Sequence, residues 1–231
     1  MNTYLMYYMT GIIIFPVFIF ALICQAKVKS NFKKYSKIMS RSNMTGADAA
    51  WRLLQLNGVT DVRIERIGGT LTDYYDPSKK VICLSSDVFD SKSIAAIGVA
   101  CHEAGHAVQH AEGYSPLTFR NFVIPATRIG SALGVPLCLL GMFIGYSPLA
   151  YIGLALYGFV ALFQLITLPV EFNASSRALA TIEANGFLTS EEYVGAKKVL
   201  NAAALTYVAA LASAIATMLR LLLIISGGRR R

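Results

Sequence analysis

The chain has 231 residues, of which 55% are hydrophobic and only 15% carry a charge. This composition is too apolar for an ordinary soluble domain and predicts a membrane protein, and the length excludes a large multidomain enzyme. The net charge of +8 would suit nucleic acid, but the basic residues lie at the ends of apolar runs, as the orientation of a membrane protein requires. We therefore expect no nucleic-acid partner.

Residues 1–26 form an apolar segment without a charged side chain. The segment is long enough to cross a bilayer as one helix, and it lacks the basic start and the small residue before a cleavage point that a signal peptide needs. We therefore expect an N-terminal transmembrane anchor that is not removed. A basic cluster follows within about 15 positions and predicts that residues 27–118 lie in the cytoplasm. The cluster consists of Lys27, Lys29, Lys33, Lys34, Lys37 and Arg41.

From Thr45 to about Arg120 the composition shifts to that of a soluble domain, and we assign residues 27–118 to a small α+β domain on the patterns that follow. A capping box begins at Thr45, and apolar residues at helical spacing follow it as far as Asn57-Gly58, which predicts a short amphipathic helix. Apolar and polar residues alternate in 59–66 and again around 80–84, with turn residues between the two stretches. This pattern predicts a short antiparallel sheet.

A second helix is predicted to begin near Ser91 or Ser93 and to run through Gln109. It contains a His-Glu-x-x-His motif made by His102, Glu103 and His106. The two histidines lie about 40° apart and one turn along the helix, so that both imidazoles can reach one zinc ion. Glu103 lies beside them, where it can hold the attacking water. Such a short motif also occurs by chance, but its uninterrupted apolar helix favours the functional interpretation.

Residues 129–170 contain no charged side chain, and the sequence Gly145-Tyr-Ser-Pro148 interrupts them with the chemistry of a turn. Two spans of about 20 residues joined by a tight loop fit this length. We assign residues 119–170 to a transmembrane hairpin. Two G-x-x-x-G spacings, Gly130-Gly134 and Gly141-Gly145, either let helices approach closely or merely relax the helix.

A catalytic zinc ion needs a third protein ligand and an open position for water. Glu171 follows the uncharged hairpin at the cytoplasmic end of a predicted span, where a lone carboxylate is unfavourable unless it is paired or bound to a metal. Zinc ligation and an ion pair with Arg177 are the two interpretations. His110 lies about 12 Å along the helix from His102, too far to share one ion, and we expect it beside the site or on the surface.

The remaining segments are residues 171–198, predicted to be cytoplasmic, and residues 199–231, an apolar helix with a basic tail. About four spans that start outside would leave the tail Arg229–Arg231 outside as well, against the positive-inside tendency. Either the last helix packs obliquely against the others or one span is misassigned.

The zinc helix, the hairpin and the sequence Leu168-Pro-Val-Glu-Phe-Asn-Ala-Ser-Ser-Arg-Ala-Leu179 together resemble the YugP-type membrane zinc metallopeptidases, over most of the chain. The layout is also similar to that of the larger gluzincin peptidases of the HtpX and Ste24 type, in which a Glu-Phe-x-Ala-Asp segment supplies the third ligand. The resemblance implies a zincin-like domain and one Zn²⁺ ion bound by His102, His106 and Glu171. Ser175 stands where that segment has the aspartate that supports a zinc histidine.

These features predict a mainly α-helical protein of the cell membrane, with about four transmembrane helices, a small α+β cytoplasmic domain and an active site at the cytoplasmic face. We expect a zinc endopeptidase for protein or peptide substrates, in which Glu103 is the general base. Arg177 is a candidate donor to the oxyanion, and so is Tyr74 or Tyr75. The predicted strand at 80–85 is either an edge to which an extended peptide adds or an internal strand.

Two other function classes compete with the enzyme. A catalytically idle membrane scaffold or assembly factor would retain a structural zinc site, and this interpretation holds only if Glu103 is dispensable. A small transporter should carry ionisable residues at the middle of the membrane, and residues 129–170 have none.

Overall fold

The computed structural model describes residues 3–228. Over these residues the protein is mainly helical and has one small sheet of three strands, as the sequence predicted in outline. In chain order the described elements are α1 (Thr3–Tyr35), α2 (Gly46–Leu56), β1 (Arg63–Ile67), β2 (Tyr74–Asp76), β3 (Val81–Ser85), α3 (Ser86–Phe89), α4 (Ile94–Ala111), α5 (Ser115–Phe143), α6 (Ser147–Ala184) and α7 (Ser190–Gly228).

Among the described residues, four helices are long and apolar enough to cross a membrane, namely α1, α5, α6 and α7. This number agrees with the predicted four spans. These helices expose large hydrophobic side chains such as Phe15, Phe122 and Leu165, which a lipid environment would cover. The tail Arg229–Arg231, on which the predicted side of the C-terminus depends, lies outside the described residues.

The contacts within the chain define two compact units. One contains the described chain up to Cys24, together with Phe119–Leu168 and the part from Thr206 onward. The other, which we call the site unit, contains Gln25–Thr118 and Pro169–Leu205. The site unit therefore includes the sheet, all of α4 and the last part of α6.

Helices α5 and α6 form the hairpin that the sequence predicted. The chain turns at Gly145, whose φ of +72° suits glycine. A β-carbon added at Gly134 would lie 2.9 Å from the β-carbon of Tyr157, and one added at Gly141 would collide with the backbone of Ala150. Gly130, Gly134 and Gly141 thus serve the close approach of two helices, the first of the two interpretations, whereas Gly145 serves the turn.

The sheet has the strand order β1-β3-β2. β2 pairs with β3 antiparallel, but β1 pairs with β3 parallel, so the predicted antiparallel sheet is wrong for β1. β3 is buried at all of its positions, Val81–Ser85, and a strand buried on both faces belongs in the middle of a sheet. The interpretation of residues 80–85 as an edge strand is therefore wrong. In the described chain the edges are β1 and β2.

Local capping defines the two helices that the sequence predicted in the site unit. The hydroxyl of Thr45 accepts a hydrogen bond from the N–H of Asp48, and the Asp48 carboxylate accepts one from the N–H of Thr45, so α2 begins with a capping box. Ser93 caps α4 by accepting from the N–H of Ala96. α4 is buried along most of its length in a core shared with α2 and β3. This close packing fixes the directions of the side chains that α4 presents.

Candidate metal centre

Two helices bring three potential metal ligands together. His102 and His106 lie one turn apart in α4, and Glu171 comes from α6. Oε2 of Glu171 is 3.3 Å from Nε2 of His102 and 3.5 Å from Nε2 of His106. The ligand atoms all lie within 4.8 Å of one another, and no more than 12% of any of the three side chains is exposed. The structure thus brings together three residues that separate sequence patterns indicate.

The two helices are in close contact at Gly105, between the two histidines. A β-carbon added to Gly105 would lie 2.8 Å from the backbone oxygen of Ala174 in α6. A larger residue at this position would push the backbones of α4 and α6 apart. The glycine therefore allows the separation at which histidines from one helix and a carboxylate from the other can meet.

Both imidazoles are also held by their second nitrogen. Oγ of Ser175 lies 3.1 Å from Nδ1 of His102, and Oε1 of Gln109 lies 3.0 Å from Nδ1 of His106. These contacts orient the two rings so that Nε2 of each one faces Glu171. The family resemblance leads us to expect an aspartate that supports a zinc histidine. Here Ser175 stands in its place and contacts His102.

The donor set fits a zinc ion. Zn²⁺ binds histidine nitrogen and carboxylate oxygen at about 2.0–2.2 Å in tetrahedral sites, in which two ligand atoms lie about 3.4 Å apart. The distances of 3.3 and 3.5 Å from Glu171 to His102 and His106 match this separation. Two imidazoles and one carboxylate would leave the fourth tetrahedral position for water or substrate.

The electrostatics of the cluster favour positive charge. Burial by itself lowers the pKa of His106, but the hydrogen bond and the negative charge of Glu171 outweigh this effect and raise the pKa above its usual value. A histidine pKa raised by a neighbouring carboxylate marks a position of negative potential, where a metal cation is stabilised as well.

Glu103 follows His102 in α4 and is 9% exposed. Burial raises the pKa of its carboxyl group, and the charges of His102 and His106 offset this only in part. A carboxyl group with a raised pKa exchanges protons closer to neutral pH, which is what general acid–base catalysis requires. Its environment is compatible with the role that the motif predicts.

Arg177 contacts Glu112 and Asn173, whereas the sequence suggested an ion pair with Glu171. Its guanidinium group forms an ion pair with Glu112 at 2.7 Å, and its Nε donates to Oδ1 of Asn173 at 2.7 Å. In this arrangement Arg177 pairs with Glu112 rather than with Glu171, so the alternative interpretation of Glu171 is not supported. The part of Arg177 as an oxyanion donor stays a prediction.

His110 lies apart from the three ligands, as its spacing predicted. Its Nδ1 is 2.8 Å from the hydroxyl oxygen of Tyr75 in β2. Both residues border a cavity of about 270 Å³, which Asp61 and Lys80 also line. Burial, with the charges of nearby aspartates, raises the pKa of Tyr75 to about 12.

The sequence patterns did not indicate two polar residues of the site. Gln109 contacts His106, and its Nε2 donates to Asn173. The spacing of three residues between His106 and Gln109 places both on one face of a helix, a signal that could have been used. Asn173 lies two residues after Glu171, and its contact with α4 depends on packing between helices that are distant in the sequence.

Comparisons with known proteins identify the family of the chain. Residues 10–226 match the family model described as "Putative neutral zinc metallopeptidase". The chain belongs to this zinc metallopeptidase family. The membership confirms the resemblance seen in the sequence, and the family name implies zinc as the metal.

One curated relative of the chain is "Putative membrane protease YugP" of Bacillus subtilis (strain 168). The two sequences are 49% identical over 205 residues, which are 89% of this chain and 91% of the relative. No solved structure matches the chain.

Proposed function

We propose that the chain is an integral-membrane zinc endopeptidase that hydrolyses peptide bonds of protein substrates at the cytoplasmic membrane face. The observation that carries the proposal is the meeting of His102, His106 and Glu171, with Glu103 next to His102 in the same helix. We propose one zinc ion for this ligand set. The family and the printed name of the relative, a membrane protease, support the same function.

The protein's own groups have distinct parts in this reaction. Zinc, when bound, supplies a Lewis acid that polarises the substrate carbonyl and makes water a stronger acid. Contacts at Nδ1 orient His102 and His106 toward the ion. Glu103 accepts a proton from the attacking water and passes it to the leaving amine.

The sheet offers a place for the substrate. β2, Tyr74–Asp76, lies at an edge of the sheet and packs against α4. An extended peptide that adds to such an edge is held chiefly by main-chain hydrogen bonds, which depend little on sequence. We therefore propose flexible or unfolded protein segments as the substrate class. A ligand-bearing helix beside a sheet edge also supports a zincin-like character for residues 27–118.

We further propose a multi-pass arrangement in the cell membrane. Residues 1–26, residues 119–170 and the apolar helix that begins at residue 199 would lie in the lipid bilayer. Residues 27–118 and 171–198 would lie on the cytoplasmic side. The four helices of sufficient length and apolarity support the spans. The basic cluster after the first span supports the orientation.

The competing proposal is an idle scaffold or assembly factor with a structural zinc ion. Structural zinc sites are normally closed by four protein ligands. The cluster among the described residues offers three, His102, His106 and Glu171, which favours a site open to water. The enzyme is therefore the better supported of the two functions.

The test of the enzyme is Glu103→Gln in the purified, zinc-loaded full chain. Glutamine has nearly the same size as glutamate but cannot accept the proton, so hydrolysis of an unfolded, fluorescently labelled protein should fall by about 10² to 10⁴. Zinc content, measured by mass spectrometry, should not change. Glu191→Gln, at an exposed position in the first turn of α7, is the matched control and should cleave at the parent rate.

Two results would contradict this function. Hydrolysis by Glu103→Gln at the parent rate would show that Glu103 is not the base. If the unaltered protein retains zinc but cleaves nothing in a broad panel of unfolded substrates, the scaffold replaces the enzyme.

A further inference from the structure

Gln109 lies in α4 on the turn after His106 and is fully buried, with 0% of its surface exposed. Its Oε1 is 3.0 Å from Nδ1 of His106. Its Nε2 donates to the backbone oxygen of Val170 at 2.8 Å and to Oδ1 of Asn173 at 2.9 Å. Both hydrogens of the buried amide are therefore used, and its oxygen faces the proposed zinc ligand.

Arg177 gives this chain of hydrogen bonds its direction. A guanidinium group can only donate, and Nε of Arg177 contacts a side-chain atom of Asn173 at 2.7 Å, so this atom must be the oxygen. The same oxygen can accept only from the NH₂ group of Gln109. Gln109 consequently presents its oxygen to His106, and Nδ1 of His106 must carry a proton to complete the contact.

The second histidine is supported in a different way. Nδ1 of His102 faces Oγ of Ser175, and a hydroxyl group donates or accepts according to its rotation. Ser175 therefore orients the ring of His102 without dictating which nitrogen holds the proton. Of the two proposed zinc histidines, only His106 therefore has described neighbours that determine which ring nitrogen carries the proton.

We propose that Arg177, Asn173 and Gln109 are positioning residues, which hold the proton of His106 on Nδ1 and so leave its Nε2 free for the metal. The ion pair between Arg177 and Glu112 anchors the outer end of the chain. The inference rests on the proposed function in that zinc is the ion bound. It assigns Arg177 a role that acts through Asn173 and Gln109 and requires no contact with substrate.

The first experiment replaces the amide that touches His106. Gln109→Leu keeps a side chain of similar size but can neither accept nor donate, so the dissociation constant for zinc should rise about 10- to 100-fold. The measurement is competition with a chromophoric chelator, using the purified full chain. Gln55→Leu, at an exposed position of α2, is the matched control and should bind zinc like the parent.

The second experiment tests the direction of the chain at Asn173. Asn173→Asp keeps an oxygen that accepts from both Arg177 and Gln109, so zinc affinity should be retained. Asn173→Leu removes this acceptor, so affinity should fall. If Asn173 had a merely structural role, Asn173→Leu should retain more zinc affinity than Asn173→Asp, because a partly buried aspartate is normally less well tolerated than leucine.

A third measurement reads the proton directly. The chain has 3 histidines, so ¹⁵N–¹H spectra of the imidazoles in the zinc-loaded protein should resolve each of them. We expect a slowly exchanging Nδ1–H signal from His106 in the parent and in Asn173→Asp. The signal should be lost in Gln109→Leu.

Thermal unfolding of the metal-free variants separates loss of affinity from loss of fold. Parent affinity in a folded Gln109→Leu, or equal affinity of Asn173→Asp and Asn173→Leu, would overturn the proposal. If Gln109→Leu does not fold, the comparison of zinc affinity between Asn173→Asp and Asn173→Leu decides the question. Failure of the proposed function would look different, because zinc would bind in the parent and depend on Gln109 although no substrate is cleaved.

Discussion

The hydroxyl oxygen of Ser175 lies 3.1 Å from Nδ1 of His102. In many zinc sites a carboxylate occupies this place, where it raises the basicity of the histidine ligand. A neutral hydroxyl group accepts the hydrogen bond of the imidazole more weakly than a carboxylate does. His102 is therefore a weaker electron donor to the metal than a histidine paired with aspartate. The metal would then keep more of its positive charge for the substrate carbonyl.

Two substitutions at Ser175 should move zinc affinity in opposite directions. Ser175→Ala removes the contact and should weaken binding, by up to about 10- to 100-fold. Ser175→Asp supplies a charged acceptor and should tighten binding. Chelator competition measures both, and Ser176→Ala, at the exposed neighbouring position, should leave affinity unchanged. Equal affinities in all these proteins would mean that Ser175 does not support the ligand.

Removal of the Glu171 carboxylate should leave an incomplete ligand set. Glu171→Ala should lose most bound zinc, because two imidazoles alone hold the ion less tightly than two imidazoles and a charged oxygen. Zinc content after dialysis is the measurement, and Glu183→Ala, at an exposed position of the same helix, is the control. Full occupancy with unchanged affinity in Glu171→Ala would remove this residue from the site.

Gly105→Ala should lower both stability and zinc affinity. The added methyl group would press on the backbone oxygen of Ala174, and such overpacking costs about 1–3 kcal/mol. Gly158→Ala is the control, because a β-carbon there meets nothing within 4 Å. Thermal unfolding with and without zinc measures the effect. Gly105→Ala with parent stability and parent affinity would show that the helices can separate without consequence.

Cysteine labelling in intact cells tests the predicted orientation. Ser78→Cys lies at an exposed turn of the site unit and should be protected from a membrane-impermeant reagent, whereas Tyr146→Cys in the hairpin turn should react. Background labelling should be low, because the free cysteines Cys24, Cys83, Cys101 and Cys138 are all buried. Labelling of Ser78→Cys but not of Tyr146→Cys would reverse the topology.

Local sequence signals predicted the elements that depend on local physics. The capping residues at Thr45 and Ser93 set the starts of α2 and α4 as expected. The spacing of His102 and His106 put both on one helical face. Glu171 was recognisable because an isolated carboxylate beside a long apolar run needs a partner, and its partners in the structure include both histidines.

Relationships between segments that are distant in the chain were harder to predict from the sequence. The sequence around β3 indicates alternating apolar and polar residues, although burial on both faces makes β3 the central strand. The order of strands depends on which of them is buried most, and periodicity within one strand does not reveal it. For the same reason, the link from Arg177 through Asn173 to Gln109 becomes visible only when α4 and α6 are packed together.

The contact of Gly105 with Ala174 also bears on the entropy of metal binding. Backbone atoms determine the helix separation there, so it does not depend on which rotamers the surrounding side chains adopt. With Nδ1 of both histidines already engaged, much of the rotational freedom of the rings has been lost when the chain folds. Metal uptake then mainly has to displace protons and water, and its rate should reflect those exchanges more than any rearrangement of the protein.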